Sequence, residues 1–328
     1  MDILQSAFLL ILGILLCGKG SDWLTDSLIP LARKLGVSGV YMGLILVSVT
    51  ISLPEILISI YATLQGHSAI SLGVVIGSII CNIGLMTGLC AIVRPLHVHT
   101  TVILRDGIFS IVIPILIFAV ASSGGISRFE GFAFLLLFVA YALNVYLQEK
   151  RVSRKEKREE AREIALEMRL IGFDFGKMRP GLVSFLVGVA VLLIGSFLFG
   201  HQLIFLAQRS GIGDLAIGLT LGALGPSIPN IMAAWNATMK GKGEIAVTET
   251  FGSNIFTLLV TLGISALIAP IVIPPQWLTF DLPVMVLMST MLFVFVFTKR
   301  VVTRLEGMIL LTCYLLTIGF QLALSPGI

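Results

Sequence analysis

Thr50-Ile51-Ser52-Leu53-Pro54-Glu55 sets a carboxylate directly after a proline, inside an apolar run too long for the face of a surface helix. A carboxylate near the middle of a bilayer costs roughly 2.5 to 3.5 kcal/mol on insertion scales for a comparable Asp, so it faces a cavity or a partner and marks an ion or proton pathway. Downstream, Ser78 and Asn82 are four residues apart and therefore share one helical face. Ser52, Glu55, Ser78 and Asn82 together offer carboxylate, hydroxyl and amide oxygens, a ligand set suited to hard cations such as Na+ or Ca2+. Pro54 withdraws a backbone donor and frees carbonyls one turn back, which become further ligands where they line a cavity.

The stretch recurs. A shift of 175 positions lays Gly43 on Gly218, Ser52 on Ser227, Pro54 on Pro229, Gly66 on Gly241, Gly77 on Gly252, Ser78 on Ser253 and Gly88 on Gly263, without a gap. Glycine and proline recurring in register predict a repeated backbone path, interrupted at the prolines in both copies. The second copy contributes Ser227, Asn230, Ser253 and Thr257 as candidate ligands. Glu249 precedes Ser253 by four residues and Thr257 by eight, so a helix puts all three on one face. It reads either as a second carboxylate of the site or as a charge at a helix start favoured by the dipole.

These elements must be held in a membrane. The chain has 328 residues, 57% hydrophobic and 12% charged, with a mean hydropathy of +1.03, far from soluble globular domains. Ten apolar runs approach the ~20 residues of a membrane-crossing helix: 3–18, 37–64, 69–93, 101–122, 129–148, 181–200, 212–239, 245–270, 278–298 and 306–325. The expected fold is thus all-α and integral to the membrane, in two five-helix repeats (1–148 and 180–328) joined by a linker at 149–179. Five spans between equivalent positions, an odd number, make the repeats inverted in topology, with broken helices meeting at the midplane.

If the linker is cytoplasmic, 20 of the 22 Lys and Arg fall on the inner side, leaving Arg128 and Arg209 outside, and both termini are outside. The linker, with charges at helical spacing, reads as a solvated helix meeting anionic lipid headgroups. The net charge of +4 then reports topology, and nothing calls for nucleic acid. The first run has Asp2 and no basic residue before it, which predicts a span and not a cleaved leader. Gly18 to Asp22 reads as a polar turn closing that span, with Asp22 capping a short helix. Cys17, Cys81, Cys90 and Cys313 lack CxxC spacing and read as packing residues, and His97 and His99 as interfacial ones. No serine has a His and acid partner and no phosphate-binding glycine motif is present, so neither an enzyme nor an ATP-driven pump is expected, and no cofactor.

Ser52-Leu53-Pro54-Glu55 with Gly77-Ser78 and Asn82, and Gly252-Ser253-Asn254-Ile255-Phe256, resemble the cation/calcium exchanger superfamily, which includes the sodium/calcium exchangers. The resemblance covers nearly the whole chain. It implies antiport of a cation, often Ca2+, against Na+ or H+ by alternating access, through two repeats whose acids bind the ions. By position Glu55 matches the first-repeat acid, Ser52, Ser78 and Asn82 its neighbours, and Ser227 and Ser253 the second-repeat hydroxyls. Asn230 stands where the second acid is found, Ile51 and Pro226 where threonines are, and Thr257 where some members carry an Asp. The expected protein is therefore a sodium/calcium exchanger type antiporter in a prokaryotic-type inner membrane. The alternatives are a monovalent Na+/H+ exchanger on the same fold and a passive cation channel. A homo-oligomer is compatible with the sequence.

Overall fold

The computed structural model describes residues 3–34, 50, 52–149, 181–210 and 213–324. In lipid, a helix satisfies every backbone polar group internally, and helices carry nearly all of the described chain. They are α1 (Ile3–Lys34), α2 (Leu53–Leu64), α3 (Ser68–Val93), α4 (Ile103–Ala121), α5 (Arg128–Glu149), α6 (Leu182–Ser210), α7 (214–239), α8 (Glu244–Ile268), α9 (Trp277–Lys299) and α10 (Arg304–Leu324). Among the described residues eight helices, all of these but α2 and α7, are long and apolar enough to cross a membrane. The expected span at 37–64 is represented by α2; its part 37–49 and Ile51 lie outside the described residues, as does the linker beyond Glu149.

Two expectations are corrected. Gly18 to Asp22 is no turn: α1 runs through it unbroken, with Ser21 and Asp22 buried. Their polarity misled because α1 lies along α6 here, where a serine or acid finds a protein neighbour in place of lipid. In the second copy the proline break is one of hydrogen bonding only. α7 continues through Pro226 and Pro229, whereas α2 begins at Leu53 with Ser52 as its N-cap and Pro54 in its first turn.

α3 and α8 form the centre. Their most apolar windows are 89% and 72% buried, against 22–44% for the other six spans, whose outer faces meet lipid. Both contain a π-helical turn, Asn82–Thr87 in α3 and Thr257–Thr261 in α8, starting 175 residues apart. Such turns shift the register of side chains and carbonyls, and are frequent at functional sites.

The contacts repeat with the same offset. Gly13 approaches Gly195 where α1 crosses α6, and Gly20 approaches Gly188, the same pair with the halves exchanged. Gly88 against Gly307 and Gly263 against Gly131 are related in nearly the same way, with Gly131 and Gly307 one position out of register. Small residues let these backbones touch, the usual means of helix association in lipid. Two short ribbons complete the pattern: β1 (Leu96–His97) pairs antiparallel with β4 (Val301–Val302), and β2 (Gly125–Ile126) with β3 (Ile271–Val272). Each ribbon joins one half to the other.

The ribbons also mark two faces. With β1 and β4 lie Arg94, which meets Gly241, Arg304, which donates to the Val93 carbonyl at 3.3 Å, and the His99–Glu244 pair at 3.2 Å. α3 ends at this basic face and α8 begins there. At the start of α3, His67 Nδ1 lies 2.6 Å from Asp214 Oδ2 at the start of α7.

Candidate functional site

Four chain segments converge at the centre: the start of α2, the proline-bearing part of α7, and the π turns of α3 and α8. α2 starts at Leu53 with Pro54 in its first turn, where the missing N–H costs no helical hydrogen bond. Glu55 falls in that turn, 1% exposed, with Oε2 lacking any hydrogen-bond partner. The carbonyl that Pro54 leaves without its helical donor, that of Thr50, accepts a hydrogen bond from Ser21 Oγ of α1 at 3.2 Å. Part of the freed backbone capacity is therefore taken up by protein.

A hydrogen-bonded chain crosses between the copies. Ser52 Oγ lies 3.4 Å from Ser253 Oγ, and the Asn82 amide donates to Ser253 Oγ at 3.4 Å and to Asn254 Oδ1 at 3.2 Å. Asn82 opens the π turn of α3, and its carbonyl is held by Thr87 Oγ1 at 3.0 Å and Thr250 Oγ1 at 3.4 Å, hydroxyls that themselves meet at 2.6 Å. Backbone and side chain of Asn82 are thus fixed from two helices. Glu249 of α8 lies close enough for its charge to act on Glu55. It sits in the second turn, 4% exposed; the helix start is occupied by Glu244, so the helix-start reading of Glu249 is not what the fold contains.

Ser78, Ser227, Asn230 and Thr257 are buried on α3, α7 and α8 without joining this chain. Gly77 abuts Leu219 and Ala223, which brings the Ser78 turn of α3 against α7, and Ser227 lies beside Cys81. Among the candidates, Glu55, Ser78, Asn82, Ser227, Asn230 and Thr257 each keep a buried side-chain oxygen with no hydrogen-bond partner. Leaving a buried polar group unsatisfied costs about 1 to 3 kcal/mol each, more if charged, so such a concentration in two matched motifs points to a ligand and not to packing. Carboxylate, amide and hydroxyl oxygens are hard donors, and no group of three His, Cys, Asp or Glu occurs among the described residues.

Thr87 and Thr250 were not singled out by sequence, and Asn254 only as part of the Gly252 to Phe256 motif, not as a ligand. Asn254 stands opposite Ile79 in the repeat and Thr250 opposite Val75, so comparison of the copies gives no signal for either. The helical spacing of Thr250 and Asn254, four residues apart on the central helix α8, is the one local hint.

Against known proteins, residues 5–147 and 180–323 match the sodium/calcium exchanger protein family. The sodium/calcium exchanger MaX1 of Methanosarcina acetivorans is 30% identical over 93% of this chain and 95% of its own. The inner membrane protein YrbG of Escherichia coli is 32% identical over 88% of this chain and 87% of its own. The fold resembles the sodium-calcium exchanger NCX_Mj, seen after soaking in Na+ and Sr2+, with a TM-score of 0.66 at 29% identity over 97% of this chain and 99% of that one. With residues 5–147 and 180–323 matched, most of the chain, it belongs to the sodium/calcium exchanger protein family.

Proposed function

We propose that this protein is a secondary-active antiporter exchanging cations across the membrane, with Glu55 as the principal charged ligand. Ser52, Ser78, Asn82, Ser227, Asn230, Glu249, Ser253 and Thr257 complete the site between the two halves. The observation that carries this is the set of buried, unpartnered oxygens around Glu55, on helices of both copies that pack against one another. Relatives named sodium/calcium exchanger and putative antiporter support the same reading. α3 and α8 run in opposite directions, and five-span halves of opposite topology can rock against each other around a fixed site. Purified protein in liposomes, with Na+, Ca2+, K+ and pH gradients imposed one at a time, tests it: flux of one cation should require a counter-cation, and flux without one would make the protein a channel.

Asn230 and Thr257 favour a second reading, in which the exchanged ions are monovalent. One carboxylate neutralises one Na+ or one proton and leaves a Ca2+ with an uncompensated charge in a low-dielectric site. Glu249, close to Glu55, supplies the missing charge and favours Ca2+. On this basis Glu249→Gln is expected to lower calcium affinity, and Asn230→Glu to raise it relative to Na+, each by about tenfold, since attraction scales with ion charge. Calcium titration at fixed Na+ measures both. Tight calcium binding left unchanged by Glu249→Gln would count against the charge argument.

The basic face is read as cytoplasmic from the 20 to 2 partition of Lys and Arg, and a prokaryotic-type inner membrane as the location from the relative named an inner membrane protein. Ser123, exposed beside β2, then faces outward, and His97 in β1 inward. Ser123→Cys should react with an impermeant thiol reagent added to intact cells, and His97→Cys should not; the reverse pattern inverts the topology.

A further inference from the structure

Beyond Glu55, α2 carries Ser59 and then Thr63, one turn apart. Ser59 Oγ lies 2.5 Å from Ser71 Oγ of α3 and 3.1 Å from Ser265 Oγ of α8, and Thr63 Oγ1 donates to the Ser59 carbonyl at 2.8 Å. All three serines are 0% exposed. On α8 a second ladder leaves the site by the same steps: Thr257, Thr261 and Ser265 are four residues apart. Thr261 is also fully buried, and its hydroxyl has no hydrogen-bond partner. The ladders meet at Ser59 and Ser265, on the side of the site toward His67 and Asp214.

The repeat supplies an internal control. At the equivalent positions, 175 residues away, Ser59 becomes Ala234, Ser71 becomes Ala246 and Ser265 becomes Cys90, all buried. The same three positions thus carry methyl groups and a thiol toward the basic face, where the one hydroxyl retained is that of Thr238, the counterpart of Thr63, beside Cys90. Close packing alone does not call for hydroxyls, since alanine and cysteine pack its counterpart. An unpartnered threonine hydroxyl in a membrane interior is costly without a ligand.

We propose that Ser59, Ser71, Thr261 and Ser265 form a second cation station, on the Asp214 side of the main site only, which holds a dehydrated monovalent cation such as Na+ on its way to or from Glu55. The ligands are neutral hydroxyls, with the Ser71 carbonyl already within 3.4 Å of Ser59 Oγ. A neutral cage leaves a monovalent ion with one uncompensated charge and a divalent ion with two, which selects against Ca2+ here. The inference rests on the reading of Glu55 as a cation ligand. It adds an asymmetry that the two matched motifs do not contain: entry from one face passes this cluster of three serines, and entry from the other passes alanine and cysteine at the equivalent junction.

The test transplants the other junction. Ser59→Ala, Ser71→Ala and Ser265→Cys together install residue types that already pack at the equivalent place. In vesicles of single orientation, the apparent KM for Na+ presented from the Asp214 face should rise about tenfold, while the KM from the basic face stays unchanged. An equal rise from both faces, or no change from either, overturns the station; if the triple variant fails to fold, Ser265→Cys alone is judged by the same criterion. Glu55→Gln, measured beside it, separates the two readings. Flux that survives Glu55→Gln removes the main site, whereas flux abolished by Glu55→Gln with both faces unaltered in the serine variant removes only the station.

Discussion

Glu55→Gln is expected to abolish cation-coupled flux in a protein that remains folded. The substitution keeps the shape of the side chain and removes its charge. Among the described residues Glu55 takes part in no ion pair, so no partner is left stranded by the change. The carboxylate is 1% exposed and Oε2 has no protein donor, so its charge is available to a cation. At about 4 Å and an effective dielectric of about 20, that attraction is on the order of 4 kcal/mol, close to three decades of affinity. Flux in liposomes and thermal unfolding in detergent, measured on the same preparation, separate lost binding from lost fold. Wild-type flux in folded Glu55→Gln would remove Glu55 from the mechanism.

Gly77→Ala is expected to act on the fold itself. A Cβ at Gly77 would stand 2.5 Å from the Leu219 carbonyl oxygen, 2.6 Å from Ala223 Cβ and 2.8 Å from Leu219 Cα. Two of these are backbone atoms of α7, which no rotamer change can move aside. Overpacking a well-packed core costs about 1 to 3 kcal/mol, and here relief requires α3 and α7 to separate beside the candidate site. A clear fall in the unfolding temperature should therefore accompany a loss of transport. Gly319→Ala is the control: it is exposed on α10 with nothing within 4 Å of its Cβ, and should leave both unchanged. Equal melting of the two variants would show that α3 and α7 are less tightly apposed than the geometry requires.

The membrane class, the spans and the matched motifs were legible because each is a local pattern: apolar length, proline and glycine in register, an acid where apolar residues are the rule. Glu55, Ser52, Ser253 and Asn82 were found by those signals and lie together in the structure. What escaped depends on neighbours distant in sequence. Ser52 and Ser253 are 201 residues apart, and Thr87 and Thr250 are 163 apart, so no spacing announces either pair. Ser21 and Asp22 read as a turn because local polarity cannot reveal that α6 lies alongside to shelter them. Glu249 was ambiguous for the related reason that a helix start is fixed only to within a turn by its sequence.

The ribbons carry a consequence for biosynthesis. Leu96 pairs with Val302, and Ile126 with Ile271, so neither strand of the first half has its partner until most of the second half has been made. Gly88 and Gly131 likewise wait for Gly307 and Gly263. A nascent chain that has inserted its first five spans is therefore topologically complete and conformationally unfinished, with strand edges and helix faces still open to lipid or to other proteins. Such a half has to be sheltered at the insertion machinery or tolerate a loose state while translation continues. Two fragments made by cutting the chain between the halves should accordingly reach the native arrangement when produced together, and neither should reach it when produced alone.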